Sequence, residues 1–144
     1  MSERSSGRSS DSSDADAIGR VHTIRLHAAW TRHDGDRGGP ADPRKVSLPD
    51  ETLVASSAAA VVYTRRFNRP TGIVPRTVIT LESGWLGLAS AVTLNGHVFA
   101  GNATDHWDIT DLLRPHNVLE VAIPASRFSD AAVETVRLSI TDRD

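Results

Sequence analysis

From residue 20 onward, apolar and polar positions alternate along the chain. In the first segment Ile24, Leu26, Ala28 and Trp30 fall on one face, with Thr23, Arg25 and His27 on the other. Thr77, Ile79 and Leu81 alternate with Val78 and Thr80, and Leu119, Val121 and Ile123 with Val118, Glu120 and Ala122. Val136, Leu138 and Ile140 alternate with Arg137 and Ser139. A period of two is the signature of half-buried antiparallel strands, whose successive side chains leave opposite faces of the pleat. No stretch carries the longer stripe of an amphipathic helix. Asn95-Gly96, between Val92-Thr93-Leu94 and His97-Val98, suits both positive-φ positions of a type I′ turn and predicts a tight hairpin. Breakers separate the runs: Asp34 to Pro43, Pro70-Thr71-Gly72 and Ser83-Gly84. Thr110 to Pro115 reads as one helical turn, with Thr110 as the N-cap and Pro115 as the stop. About eight strands over residues 18–142 predict an all-β sandwich of two sheets.

Composition adds boundaries. The 144 residues and 15.5 kDa suit one ordinary domain. Residues 1–17 hold seven serines and almost nothing apolar, so they are expected to form a disordered tail, leaving 18–144 as the sandwich. In that tail Glu3, Asp11, Asp14 and Asp16 exceed Arg4 and Arg8 by two, which accounts for the whole formal net charge of -2. The rest of the chain is formally neutral, without the basic surplus of a general nucleic-acid binder. Absence of cysteine removes disulfides, thiolate metal sites and thiol nucleophiles. The longest apolar run, Ala58 to Tyr63, is far too short to cross a bilayer as a helix. No apolar h-region opens the chain, which assigns it to the cytoplasm by default.

One stretch carries a resemblance. It runs Val61-Val62-Tyr63-Thr64-Arg65-Arg66-Phe67 with Pro70, then Val78 to Leu81 with Gly84, then Val92-Thr93-Leu94-Asn95-Gly96. Trp107-Asp108-Ile109-Thr110 with Leu112-Leu113, and Asn117-Val118-Leu119-Glu120-Val121, complete it, and Val46-Ser47-Leu48-Pro49 precedes it. In order and spacing this resembles the N-terminal sugar-binding domain of β-galactosidase and β-glucuronidase type glycoside hydrolases of family 2. The resemblance implies a galactose-binding-like jelly roll and a carbohydrate as the favoured ligand class. It also implies no catalysis, because in those hydrolases the reaction belongs to a separate barrel domain. Thr93 stands where the family often has tryptophan, and the connection from Gly96 to Trp107 is shorter than usual.

Sugar recognition needs an aromatic platform and groups that hydrogen-bond hydroxyls. The residues offering these are Trp85, Asn95, Asn102, Asp105 and Trp107. The competing reading makes Trp30, Trp85 and Trp107 core residues of a chain with few aromatics. No metal site and no cofactor are expected. His22 and His27 point to opposite faces of one strand, and His97, His106 and Asp105 form no recognisable ligand pattern. Asp34, Asp36 and Asp42 match no calcium loop. Arg65, Arg66, Arg69 and Arg76 suggest an anionic partner, although alternation splits Arg65 from Arg66. No nucleophile elbow, phosphate loop or acid–base pair can be named. Two functions stay open: a non-catalytic carbohydrate-binding module, and a structural domain that docks a protein partner or self-associates.

Overall fold

The structure is a computed structural model, and it describes residues 21–34, 43–99 and 105–142. Among these residues, ten strands form two antiparallel sheets that pack as a sandwich. One sheet has four strands in the order β1 (Val21–Arg25), β10 (Arg137–Asp142), β5 (Thr77–Glu82) and β8 (His106–Asp108). The other has six, in the order β3 (Arg44–Val46), β2 (Trp30–His33), β4 (Ala60–Asn68), β9 (His116–Pro124), β6 (Ala91–Leu94) and β7 (His97–Val98). The all-β sandwich expected from the alternation is what the chain forms, with ten strands rather than about eight. The expected tail at residues 1–17 lies outside the described residues.

Parity explains the core. Ile79 and Leu81 of β5 and Leu138 of β10 turn inward from the smaller sheet. They meet Val61 and Tyr63 of β4, Leu119, Val121 and Ile123 of β9, and Val92 and Leu94 of β6. Burying each such side chain contributes about 1.5–3 kcal/mol. The Asn95-Gly96 turn has φ of 53° and 85°, and it pairs Leu94 with His97 as a two-residue type I′ hairpin should.

Two local expectations change. The run from Ile24 to Trp30 is not one strand: β1 ends at Arg25 and β2 begins at Trp30, in the opposite sheet. Ala29 takes a left-handed φ of 65° at the crossing, and Trp30 Nε1 donates to the Leu26 carbonyl at 2.7 Å. Alternation reports which face a side chain takes, not which sheet its strand joins. The turn at Thr110 also forms, as a 3-10 helix over Thr110–Leu112, but Thr110 is not its cap. Asp108 Oδ1 accepts from the Thr110 amide at 3.0 Å and from its hydroxyl at 2.6 Å. The Thr110 oxygen in turn accepts from the Ile79 amide at 2.9 Å, pinning the turn to β5.

Candidate functional site

The five residues nominated for ligand contact go to different places. Trp85 opens a one-turn helix, α1 (Trp85–Leu88), and is fully buried. Its ring packs 4.6 Å from Tyr63 and 5.3 Å from Trp30 by centroids, and its Nε1 donates to the Ala131 carbonyl at 3.0 Å. Ser83 sets this up: its hydroxyl accepts from the Trp85 amide and donates to the Thr135 carbonyl. Trp85 is thus a core residue, with no ring face open to a sugar.

Asn95 is spent on the fold as well. Its amide nitrogen donates to the Leu112 carbonyl at 3.0 Å and to Asn117 Oδ1 at 2.9 Å, and its oxygen accepts from the Val118 amide. Asn117 is buried and donates to the Phe67 and Arg114 carbonyls while accepting from the Arg114 amide. This amide pair welds the hairpin tip to the start of β9. Trp107 stands opposite Leu81, on the inward face of β8, and stacks on Phe99 at 4.6 Å with an interplanar angle of 9°. Asn102 lies outside the described residues, as do Asp36 and Asp42.

Of the four that the structure describes, Asp105 lines a surface cleft. The cleft encloses ≈ 220 Å³ and is walled by Glu82 and Ser83 at the end of β5, Asp105 and His106 at the start of β8, Glu134 and Thr135 ahead of β10, and Arg137 as its first residue. Ser83 N donates to the Asp105 carbonyl at 2.9 Å, which fixes the β5 and β8 ends side by side. Arg137 Nε donates to Glu82 Oε1 at 2.8 Å, and His106 Nδ1 lies 2.9 Å from Asp105 Oδ1. The contact with His106 holds the Asp105 carboxyl below the usual carboxylate range. Gly84 lets the Glu134 carboxylate lie against the backbone, since a Cβ there would sit 2.2 Å from Glu134 Oε1. The walls are carboxylates, a guanidinium, an imidazole and a hydroxyl, a set that donates to and accepts from hydroxyl-rich molecules. Among the described residues, no group of three or more His, Asp or Glu side chains is placed to hold a metal ion.

A polar assembly that the alternation did not reveal lies between the sheets. Arg32 of β2 points inward next to Trp30 and is 1% exposed. Its Nε and one Nη grip Asp34 at 2.6 and 3.0 Å, and its other Nη reaches Asp50 Oδ2 at 2.6 Å. Asp50 also accepts from the Tyr63 hydroxyl at 2.7 Å and from the Thr52 hydroxyl and amide. That last contact caps the 3-10 helix Glu51–Ala55. Burial opposes the Arg32 charge, yet hydrogen bonds to Asp34 and Asp50 outweigh it and raise the pKa. Burial likewise opposes the Asp50 charge, and the bonds from Thr52, Tyr63 and Arg32 still hold its carboxyl below the ordinary range. Burial and the neighbouring Asp50 charge push the Tyr63 phenol up, so it stays a donor. The available signal was an arginine on the inward parity of a strand, two residues after a tryptophan.

The sandwich is similar to part of several solved glycoside hydrolases of family 2. A β-glucuronidase 2 of Bacteroides uniformis, a calcium-binding mutant, shares it with a TM-score of 0.63 at 18% identity, over 84% of this chain and 18% of that one. A Bifidobacterium dentium β-glucuronidase, complexed with coumarin-3-O-glucuronide, matches with a TM-score of 0.59 at 17% identity, over 91% and 31%. A β-galacturonidase of Eisenbergiella tayi, bound to galacturonate, matches with a TM-score of 0.60 at 13% identity, over 89% and 26%. The likeness is one of fold. It agrees with the resemblance read from Asn95-Gly96, Asp108-Ile109-Thr110 and Asn117, and this chain spans a fifth to a third of those enzymes. No family model matches the chain, and no curated protein matches it.

Proposed function

We propose that the chain is a non-catalytic β-sandwich binding module that takes a carbohydrate in the cleft between Glu82, Asp105, Glu134 and Arg137. The observation that carries this reading is the chemistry of that cleft. A sugar ring presents a circle of hydroxyls, each a donor and an acceptor, and these walls offer carboxylates to accept and a guanidinium to donate, so recognition here rests on hydrogen bonds without the expected tryptophan platform. The volume of ≈ 220 Å³ falls below the roughly 300–1,000 Å³ of sites for drug-sized ligands, which suits a single ring. The non-catalytic part of the proposal draws support from length, since the chain covers only 18–31% of the matched hydrolases.

An amide-resolved NMR titration with neutral monosaccharides tests it. Shifts should gather at residues 82–84, 105–106 and 134–137, with dissociation constants of order millimolar. Exchanging Glu134→Gln should weaken them about tenfold, as expected for the loss of a charge-assisted hydrogen bond. No shift with any neutral sugar at tens of millimolar would overturn the reading.

A further inference from the structure

A larger cleft of ≈ 690 Å³ opens between β1 and the adjoining ends of β4 and β9. Ile24, Leu26 and Phe67 make its apolar walls, and Arg65, Arg66 and His116 bring the ionisable groups. Among the described residues, no carboxylate lines it.

Arg65 is the informative residue. It follows Tyr63 on the inward parity of β4, opposite Leu119 in register, so its side chain enters the cleft half-buried. Its Nε donates to the Ala28 carbonyl at 2.7 Å and Nη1 to the Arg66 carbonyl. Both partners are neutral, and among the described residues no acid pairs with this guanidinium. Burial without a countercharge lowers its pKa. The Nη2 edge has no partner among the described residues, and Arg66 nearby adds a second positive charge. A planar guanidinium with an open edge matches the two oxygens of a carboxylate. Apolar walls match hydrocarbon, and the volume lies within the range of organic-ligand sites.

We propose that this cleft binds a small organic carboxylate with an apolar body, its carboxylate on Arg65 and its hydrocarbon against Ile24, Leu26 and Phe67. The site is separate from the polar cleft and shares no residue with it.

Calorimetry and NMR on the full 144-residue chain test the proposal with 3-phenylpropionate, its neutral amide 3-phenylpropionamide, and inorganic phosphate. The acid should bind about tenfold or more tightly than the amide, the ratio expected for a charge-assisted contact. It should also bind more tightly than phosphate, which has no apolar body, and the amide shifts should fall at residues 24–26, 65–68 and 116–118. Arg65→Met keeps the apolar stem and should lower acid affinity about tenfold while leaving that for the amide unchanged. Equal binding of acid and amide would overturn the proposal, as would phosphate binding as tightly as the acid. So would the absence of acid binding at about 10 mM. The comparison among probes uses the unaltered protein, so its outcome stands even if the variant folds poorly.

Discussion

Arg32 and Arg65 stand on adjacent strands of the six-stranded sheet and turn toward the same face, since Arg32 pairs in register with Tyr63, two residues before Arg65. Arg32 is sealed between two aspartates, one of them also held by a tyrosine, while among the described residues Arg65 rests on carbonyls alone at the wall of a cleft. One guanidinium has its charge answered by the fold and the other does not. A buried ion is tolerated when its partner and remaining hydrogen bonds are supplied, and removal of that partner leaves an uncompensated charge in the interior. Arg32 therefore belongs to the architecture, and Arg65 is left for an external anion.

The sharpest way to break this contrast is to remove the shared acceptor. Asp50→Ala should cost about 3–5 kcal/mol in urea denaturation, because Arg32 loses one of its two countercharges, the buried Tyr63 hydroxyl loses its acceptor and a helix cap goes with them. A loss below about 1 kcal/mol would mean that water reaches Arg32, and the contrast would fall. Acid should act on the same group in a graded manner. Asp50 and Asp34 both titrate below their unfolded values, so their stabilisation is fully present above the unfolded pKa and is lost as pH falls through the folded one. Melting temperature should accordingly hold steady down to about pH 5 and decline below about pH 4, and Asp50→Asn should flatten that decline. Arg65→Met should have the smallest effect, within about 1 kcal/mol of the parent, since a carbonyl contact is lost while an unanswered charge is relieved. A loss comparable to that of Asp50→Ala would show that Arg65 holds the fold and would erase the distinction.

Much of the fold was legible because it rests on local rules. Thr77-Ile79-Leu81 and Leu119-Val121-Ile123 bury the face that alternation assigns them, and Asn95-Gly96 turns where two positive-φ residues must. Asn117 after Pro115 does bond the backbone, as its short amide predicts. The site was less legible. Trp85 after Ser83-Gly84 reads equally as a loop platform and as a core residue, and the choice is made by Tyr63 and Ala131, which lie 22 and 46 residues away in the sequence. The Arg32 assembly escaped for the same reason, since Arg32 and Asp50 are 18 positions apart and joined only by folding. Asp105 stayed at the surface because it directly precedes the edge strand β8 rather than filling a strand interior.

The strand order also bears on how the protein resists aggregation. Two sheets have four margins, here β1, β8, β3 and β7, and among the described residues three of these strands hold three residues or fewer. An exposed margin recruits foreign strands only when it offers a run of unpaired amides and carbonyls, and such short ones offer almost none. β1, with five residues, is the longest margin, and it carries His22 and Arg25. Arg25 on this longest margin discourages edge-to-edge growth, because a second copy pairing there would set like charges along the seam.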